Sequence, residues 1–95
     1  MKKKIAVLIK NNQSQYEGLR ISLGLQLKDH QVDMFILNEA IEPTEEYLDN
    51  LILIDELGGG RFSNVVENIS KHGFGEVTIQ QMAQKLNNYD LIIPF

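Results

Sequence analysis

Residues 61–95, RFSNVVENISKHGFGEVTIQQMAQKLNNYDLIIPF, decide the fold of this chain. They predict a short strand, a short helix that ends at a glycine, a second helix and an apolar strand. Thr78 and Gln81 have the spacing of a capping box, in which each side chain bonds a free backbone N–H at the start of a helix. We expect the strand that stops at Phe95 to be buried and to close the domain.

Four apolar runs predict the strands of a sheet: Ile5–Ile9, Val32–Leu37, Arg61–Val65 and Leu91–Phe95. The first two are nearly continuous, which is typical of parallel strands that are covered on both faces. Helical segments separate the runs in the order β-α-β-α-β-α-α-β. This order predicts a single α/β domain over residues 1–95, with a mainly parallel sheet of four or five strands and helices on both faces.

Start and stop signals place the longer helices. Ser14 and Glu17 have the capping-box spacing, and Thr44 can cap a helix that continues to a glycine at 58. Residues 51–54 also fit a strand, but the agreeing signals favour a helix. The triple glycine at 58–60 lies between a helix and a strand, the reverse of the order in a phosphate-binding loop, so we interpret it as a turn.

The first long helix has an unusually wide apolar surface. One stripe of this helix contains Tyr16, Leu19, Leu23 and Leu27. A second face contains Ile21 and Leu25. Such a surface predicts packing on the sheet and against a further surface, such as another subunit.

Composition excludes several classes of function. The chain has 13 acidic and 9 basic residues, a net charge of -4, which argues against a nucleic-acid partner. It has no cysteine, so disulfides, thiolate metal sites and thiol chemistry on this chain are excluded. No apolar run approaches the roughly 20 residues that span a bilayer. We therefore expect a cytoplasmic protein without a membrane partner.

Ligands of parallel α/β sheets bind at the carboxyl ends of the strands. Lys10–Ser14 leads into a helix N-terminus that could bind a small anion, although capping alone explains Ser14. Asn64 and Asn68 either cap the short helix or line a cleft. His72 ends that helix, where the helix dipole favours it, and a role as general base is a less favoured hypothesis. The candidate ligand-binding residues are Lys10, Asn11, Asn12, Ser14, Asn64, Val65, Asn68 and His72; no metal-ligand spacing and no cofactor motif is present.

Three stretches resemble a known family. The opening KKIAVLIK at 3–10, NISKHGFG at 68–75 and KLNNYDLIIPF at 85–95 are similar to the DsrE/DsrF/DsrH-like (YchN-like) sulfur-relay proteins. The resemblance implies a flavodoxin-like three-layer sandwich. It also implies assembly as a dimer, trimer or hexamer, or with related DsrE-like subunits.

The chain departs from this family at the reactive position. Active members carry a persulfide on a cysteine eight residues before a glycine, and counting back from Gly73 puts that position at Val65. A second family cysteine falls at Asn68, and a frequent arginine falls at His72. Persulfide transfer needs a thiolate, which this chain cannot supply. The resemblance therefore implies a divergent, non-catalytic subunit; the alternative is a module that binds an anion or nucleotide at the strand ends.

Overall fold

The apolar runs pair in parallel, as predicted. The computed structural model describes residues 2–95, and within that range the sheet has the order β4-β3-β2-β1-β5 with all pairs parallel. Its strands are β1 (Lys4–Ile9), β2 (Gln31–Ile36), β3 (Gly60–Ser63), β4 (Gly75–Glu76) and β5 (Leu91–Pro94). Only β4 has no counterpart among the four predicted runs, because two residues cannot show an apolar period.

Helices cover both faces of the sheet. They are α1 (Gln15–Leu27), α2 (Glu45–Glu56), α3 (Val66–His72) and α4 (Ile79–Lys85), with short 3-10 turns at Asn12–Ser14 and Leu86–Asn88. Residues 51–54 lie in α2, as the start and stop signals indicate. Within residues 2–95, none of these helices has the length and apolar character needed to cross a membrane.

Each face of the sheet has its own hydrophobic core. Alternate strand residues point to opposite faces. On the first face, α1, α2 and the segment from α3 to Phe74 pack on one set: Ile5, Val7, Ile9, Val32, Met34 and Ile36. On the second face, α4 and the turn after it pack on the other set: Ala6, Leu8, Phe35 and Leu37. The chain is therefore a three-layer α/β sandwich.

The predicted helix starts are confirmed at two of three positions. The Thr44 hydroxyl accepts from the N–H of Tyr47, and Thr78 and Gln81 form both bonds of a capping box. The capping box predicted at Ser14 is wrong, because in the described chain the Ser14 side chain makes no capping bond. A 3-10 turn precedes α1, so the free N–H groups begin earlier and the side chain of Asn11 accepts from the N–H of Ser14.

The predicted apolar stripe of α1 is only partly correct. Leu19 is buried, but Tyr16 is 45% exposed and Leu27 is 63% exposed. The side that faces the sheet is instead made of small and polar residues: Gln15, Gly18, Ser22 and Gln26. Hydrophobic periodicity missed this side because close approach of the helix to the sheet selects small residues, and because the glutamines are buried with their hydrogen bonds satisfied.

The last strand is not buried, contrary to the expectation from the sequence. β5 lies at the edge of the sheet beside β1, and its Leu91 and Ile92 are 45% and 40% exposed. An apolar run is compatible with burial on both faces of the strand. It does not indicate whether helices pack on both faces at that position of the sheet. Here the first core reaches Ile93 and Phe95, while Leu91 and Ile92 belong to neither core.

Candidate functional site

The loops that follow β1, β2 and β3 meet at the carboxyl edge of the sheet, where α/β proteins bind ligands. The loop after β2 lies in the middle and contacts both of the others. We call this group of loops, residues 10–14, 37–44 and 64–65, the carboxyl-edge cluster. It contains the candidate residues Lys10, Asn11, Asn12, Ser14, Asn64 and Val65.

The loop after β1 is tied to the loop after β2 by hydrogen bonds. The N–H of Asn12 donates to Oε1 of Glu39 at 3.0 Å. Just beyond, Nε2 of Gln15 donates to the carbonyl of Glu42 at 2.8 Å, and the N–H of Glu42 donates back to Oε1 of Gln15 at 3.0 Å. The amide oxygen of Asn11 accepts from the N–H of Ser14 at 3.1 Å. Asn11 and the backbone of Asn12 are therefore used to hold the loops in place.

The loop after β3 is joined to the same central loop. Oδ1 of Asn64 accepts from the N–H of Asn38 at 2.9 Å. Asn38 has a φ of 74°, in the left-handed region that asparagine tolerates better than most residues. The bond thus fixes a turn at the end of β2 that other side chains would adopt at a cost.

Asn68 is the most constrained of the candidate residues. It is fully buried, and its Oδ1 accepts from the N–H of Ile41 at 2.8 Å. Its Nδ2 donates to the carbonyl of Glu39 and to Oγ of Ser63, both at 3.1 Å. The predicted capping role is wrong, because Val65 is the N-cap of α3 and Asn68 lies inside the helix. Asn68 instead joins α3, the loop after β2 and the end of β3.

The Ser63 hydroxyl completes this group and was not among the predicted site residues. It donates to the carbonyl of Ile36 at 2.7 Å and accepts from the N–H of Val65 at 3.1 Å and from Asn68. It is fully buried. A hydroxyl that already donates one bond and accepts two has no capacity left to act as a nucleophile. A serine that ends a strand directly before a helix was the only sequence signal for it.

Apolar residues follow the neighbouring strands β3 and β4 along the chain, where the sheet changes the face on which its connections lie. The chain leaves β3 toward the first face and leaves β4 toward the second face, so this is the topological switch point of the sheet. Val65 is half-buried there, while Val66 is 74% exposed and Ile79 is 48% exposed. The Val65 side chain, at a predicted site position, therefore offers a ligand no polar or reactive group.

His72 is separated from the carboxyl-edge cluster. It ends α3, whose seven residues span about 10 Å. Its carbonyl accepts from Nη1 of Arg61, and the same guanidinium forms two bonds of 2.9 and 2.8 Å to the Asp55 carboxylate. Arg61 thus joins the ends of α2 and α3, and His72 takes part in a structural contact.

Two tyrosines have strongly perturbed acidity, and neither is among the predicted site residues. Burial raises the pKa of Tyr47 well above its usual range, and no group in residues 2–95 bonds its hydroxyl. Burial and a hydrogen bond to Asp33 raise the pKa of Tyr89 in the same direction. Asp33 lies on the second face, where Gly60 leaves room for it. Asp33 is the one charged residue in the apolar run at 32–37, and this position is the signal in the sequence for its polar contact.

Two hollows of the surface are lined by residues outside the cluster. One of about 380 Å³ is lined by residues of α4 and its flanks, and one of about 230 Å³ lies between α1 and α2. In the described part of the chain, no group of three or more acidic or histidine side chains could hold a metal ion. At the carboxyl edge, the hydrogen bonds of Asn11, Asn64 and Asn68 connect the loops, whereas the Lys10 side chain is exposed.

Sequence and structure were compared with known proteins. No protein-family model, no curated protein and no solved structure matches this chain.

Proposed function

We propose that this chain is a cytoplasmic, non-catalytic DsrE-like subunit that assembles with copies of itself or with related sulfur-relay subunits. The observation that carries the proposal is the state of Asn68 and Val65, the positions to which the resemblance assigns the family cysteines. Asn68 is buried with both amide atoms bonded to the protein, and Val65 carries no reactive group.

The chemistry of sulfur transfer requires a thiolate that a donor can reach. Valine supplies no nucleophile, and the neighbouring Ser63 hydroxyl is fully buried and bonded. Residues that would hold or activate sulfur in a relative thus serve here to fix the loops of the carboxyl edge. A role in an assembly needs a stable surface and no reactive group.

Exposed apolar side chains support the assembly part of the proposal. Four of them lie on four different helices: Leu27 at 63%, Ile52 at 54%, Val66 at 74% and Ile79 at 48%. Leu91 and Ile92, at 45% and 40%, lie together on β5, and these two support the assembly. Single exposed apolar residues are common on soluble proteins, whereas a group on one element indicates an interaction surface.

Light scattering coupled to size-exclusion chromatography tests the assembly. We expect a multiple of the monomer mass at micromolar concentration, or a monomer that joins a complex when a DsrE-like subunit is added. A monomer that also fails to join such a complex would overturn the proposal. A sulfur-transfer assay with a persulfide donor should leave this chain unlabelled, since a labelled chain would contradict the absence of catalysis.

A site for a small anion at Lys10–Ser14 is the alternative. Lys10 is exposed beside the start of α1, and no ion pair within residues 2–95 involves it. A thermal-shift screen with inorganic phosphate and nucleotides separates the two functions. A rise in melting temperature that Lys10→Ala abolishes would favour the anion site, and Lys28→Ala, a change at another exposed lysine, is the matched control.

A further inference from the structure

We propose that the outer edge of β5 pairs in antiparallel fashion with β5 of a second copy and joins two sheets into one. The inference rests on the proposed function, because it identifies the surface through which the subunit assembles.

The two edges of the sheet differ in how they resist pairing. The β4 edge is only two residues long and consists of Gly75 and the charged Glu76. β5 has four residues, Leu91–Pro94, and none of them is charged. Short length and charge are the usual means by which proteins protect an edge strand. β4 has both of these features, while β5 is longer and carries no charge.

The backbone of β5 directs unpaired groups outward. At the start of β5, the N–H of Asp90 points toward β1 and donates to the carbonyl of Lys4 at 2.7 Å. Because N–H groups alternate between the two sides of a strand, those of Leu91 and Ile93 point away from β1, as do their carbonyls. The alternation holds as far as Pro94, which has no N–H; beyond the strand, the N–H of Phe95 donates to the carbonyl of Leu8 in its place, at 2.8 Å. The nitrogen of Pro94 is on the side that faces β1. The proline therefore does not protect the outer edge.

Antiparallel pairing with β5 of a second copy gives these outward N–H and C=O groups hydrogen-bond partners. A two-fold axis at Ile92 places Leu91 opposite Ile93 of the second copy, and these residues can exchange N–H and C=O bonds on both sides of the axis. The two Ile92 side chains then meet at a non-hydrogen-bonded position, where Cα atoms lie about 4.5 Å apart. The exposed Leu91 and Ile92 side chains, 45% and 40% accessible in one copy, become covered.

The absence of native cysteines permits a direct test by crosslinking. In Ile92→Cys, mild oxidation should give a disulfide-linked dimer, because Cα atoms of about 4.5 Å separation can be bridged. In Leu91→Cys, the two equivalent Cα atoms would lie about 8 Å apart, too far for a disulfide. Ile52→Cys on α2, 54% exposed, is a control for random collision. Non-reducing electrophoresis measures all three variants.

Charge at the edge provides a second test. Ile92→Lys places two like charges opposite each other and should raise the dissociation constant of the assembly at least about tenfold. Ile52→Lys, at a helical isoleucine that is more exposed than Ile92, should leave the dissociation constant unchanged. Circular dichroism verifies that both variants are folded.

The outcomes separate this inference from the proposed function. Assembly of the wild type without faster crosslinking at residue 92 than at residues 91 and 52 would overturn the β5 edge while leaving the subunit role intact. The same holds if assembly survives Ile92→Lys in folded protein, or if only a different subunit occupies the edge. A wild type that neither self-associates nor joins a relative's complex would overturn both.

Discussion

The side chain of Gln15 and the backbone of Glu42 form a reciprocal pair of hydrogen bonds, of 2.8 and 3.0 Å. Gln15 is 3% exposed and lies in the first turn of α1. At the other end of the helix, Gln26 donates to the carbonyl of Leu57 and accepts from the N–H of Val32. Two glutamines thus bind the ends of α1 to neighbouring backbone, and the carboxyl-edge cluster depends on the first of them.

Gln15→Leu should destabilise the protein by about 2–4 kcal/mol, because it leaves the N–H and carbonyl of Glu42 without their partners in a part-buried place. Chemical denaturation in urea measures the change. Gln13→Leu, at an exposed position of the preceding turn, is the matched control and should change stability by less than about 0.5 kcal/mol. Equal effects of the two substitutions would show that the reciprocal pair contributes nothing specific.

Cysteines introduced at residues 65 and 68 should differ in reactivity. A thiol at Val65→Cys lies at a half-buried place and should react with an aromatic disulfide reagent in the native state. A thiol at Asn68→Cys replaces a fully buried side chain and should react only when the protein opens. Val66→Cys, at a position that is 74% exposed, gives the reference labelling rate of a freely accessible thiol.

Asn68→Cys should also lower the stability of the protein. The substitution removes three hydrogen bonds of the buried amide, so we expect a loss of about 2–4 kcal/mol. Native-state labelling of residue 68 as fast as residue 65, in a variant that remains folded, would contradict the closed geometry of the cluster.

Tyrosine ionisation should limit stability in alkali. Burial and the hydrogen bond to Asp33 raise the pKa of Tyr89 in the folded protein above the usual value of about 10. The folded state therefore favours the neutral phenol, and its contribution is fully present below pH of about 10 and decreases as the pH rises further. Tyr47, whose pKa burial raises, acts in the same direction.

Unfolding measured between pH 8 and 11 tests this expectation. The wild type should lose stability above pH of about 10, and Tyr89→Phe should lose it less steeply. The Tyr47→Phe and Tyr89→Phe double variant should have the flattest profile of the three. Tyr16→Phe, at a 45% exposed position, is the control. Profiles of equal slope for wild type and double variant would show that neither phenol is held neutral by the fold.

Local signals predicted the regular parts of this fold well. The short helix that the sequence predicts to end at a glycine is α3, Val66–His72, and Gly73 follows it in the left-handed conformation. Thr44 and Thr78 also cap their helices as predicted, because capping is a contact between residues three apart. The parallel sheet followed from the apolar runs and the helices between them.

The remaining features depend on contacts between distant residues. The buried side of α1 is defined by Gln15 and Ser22 as well as by Leu19, and their burial requires partners that only the folded chain supplies. In the carboxyl-edge cluster, Asn68 reaches backbone groups 27 and 29 residues away. No periodicity encodes such pairings, so Asn68 could be selected as a candidate but its role could not be predicted.

Two glycines of α1 should respond in opposite ways to alanine. At Gly18, an added Cβ would lie 2.3 Å from Cδ1 and 2.4 Å from Cγ1 of Ile9, a side chain that is 1% exposed in the first core. Such overpacking usually costs about 1–3 kcal/mol, which exceeds the gain in helix propensity. At Gly24, no atom lies within 4 Å of the added Cβ, and the position is exposed. Gly24→Ala should therefore stabilise the protein by about 0.5–1 kcal/mol.

Urea denaturation of both variants compares the same substitution on the same helix, so differences in intrinsic propensity cancel between them. The difference in stability then measures how closely α1 approaches β1 through Gly18 and Ile9. If Gly18→Ala stabilises the protein as much as Gly24→Ala, the helix lies farther from the sheet than the structure places it. The two glutamine contacts at its ends would then have to be longer as well, because they and the Gly18 contact are made by one rigid helix.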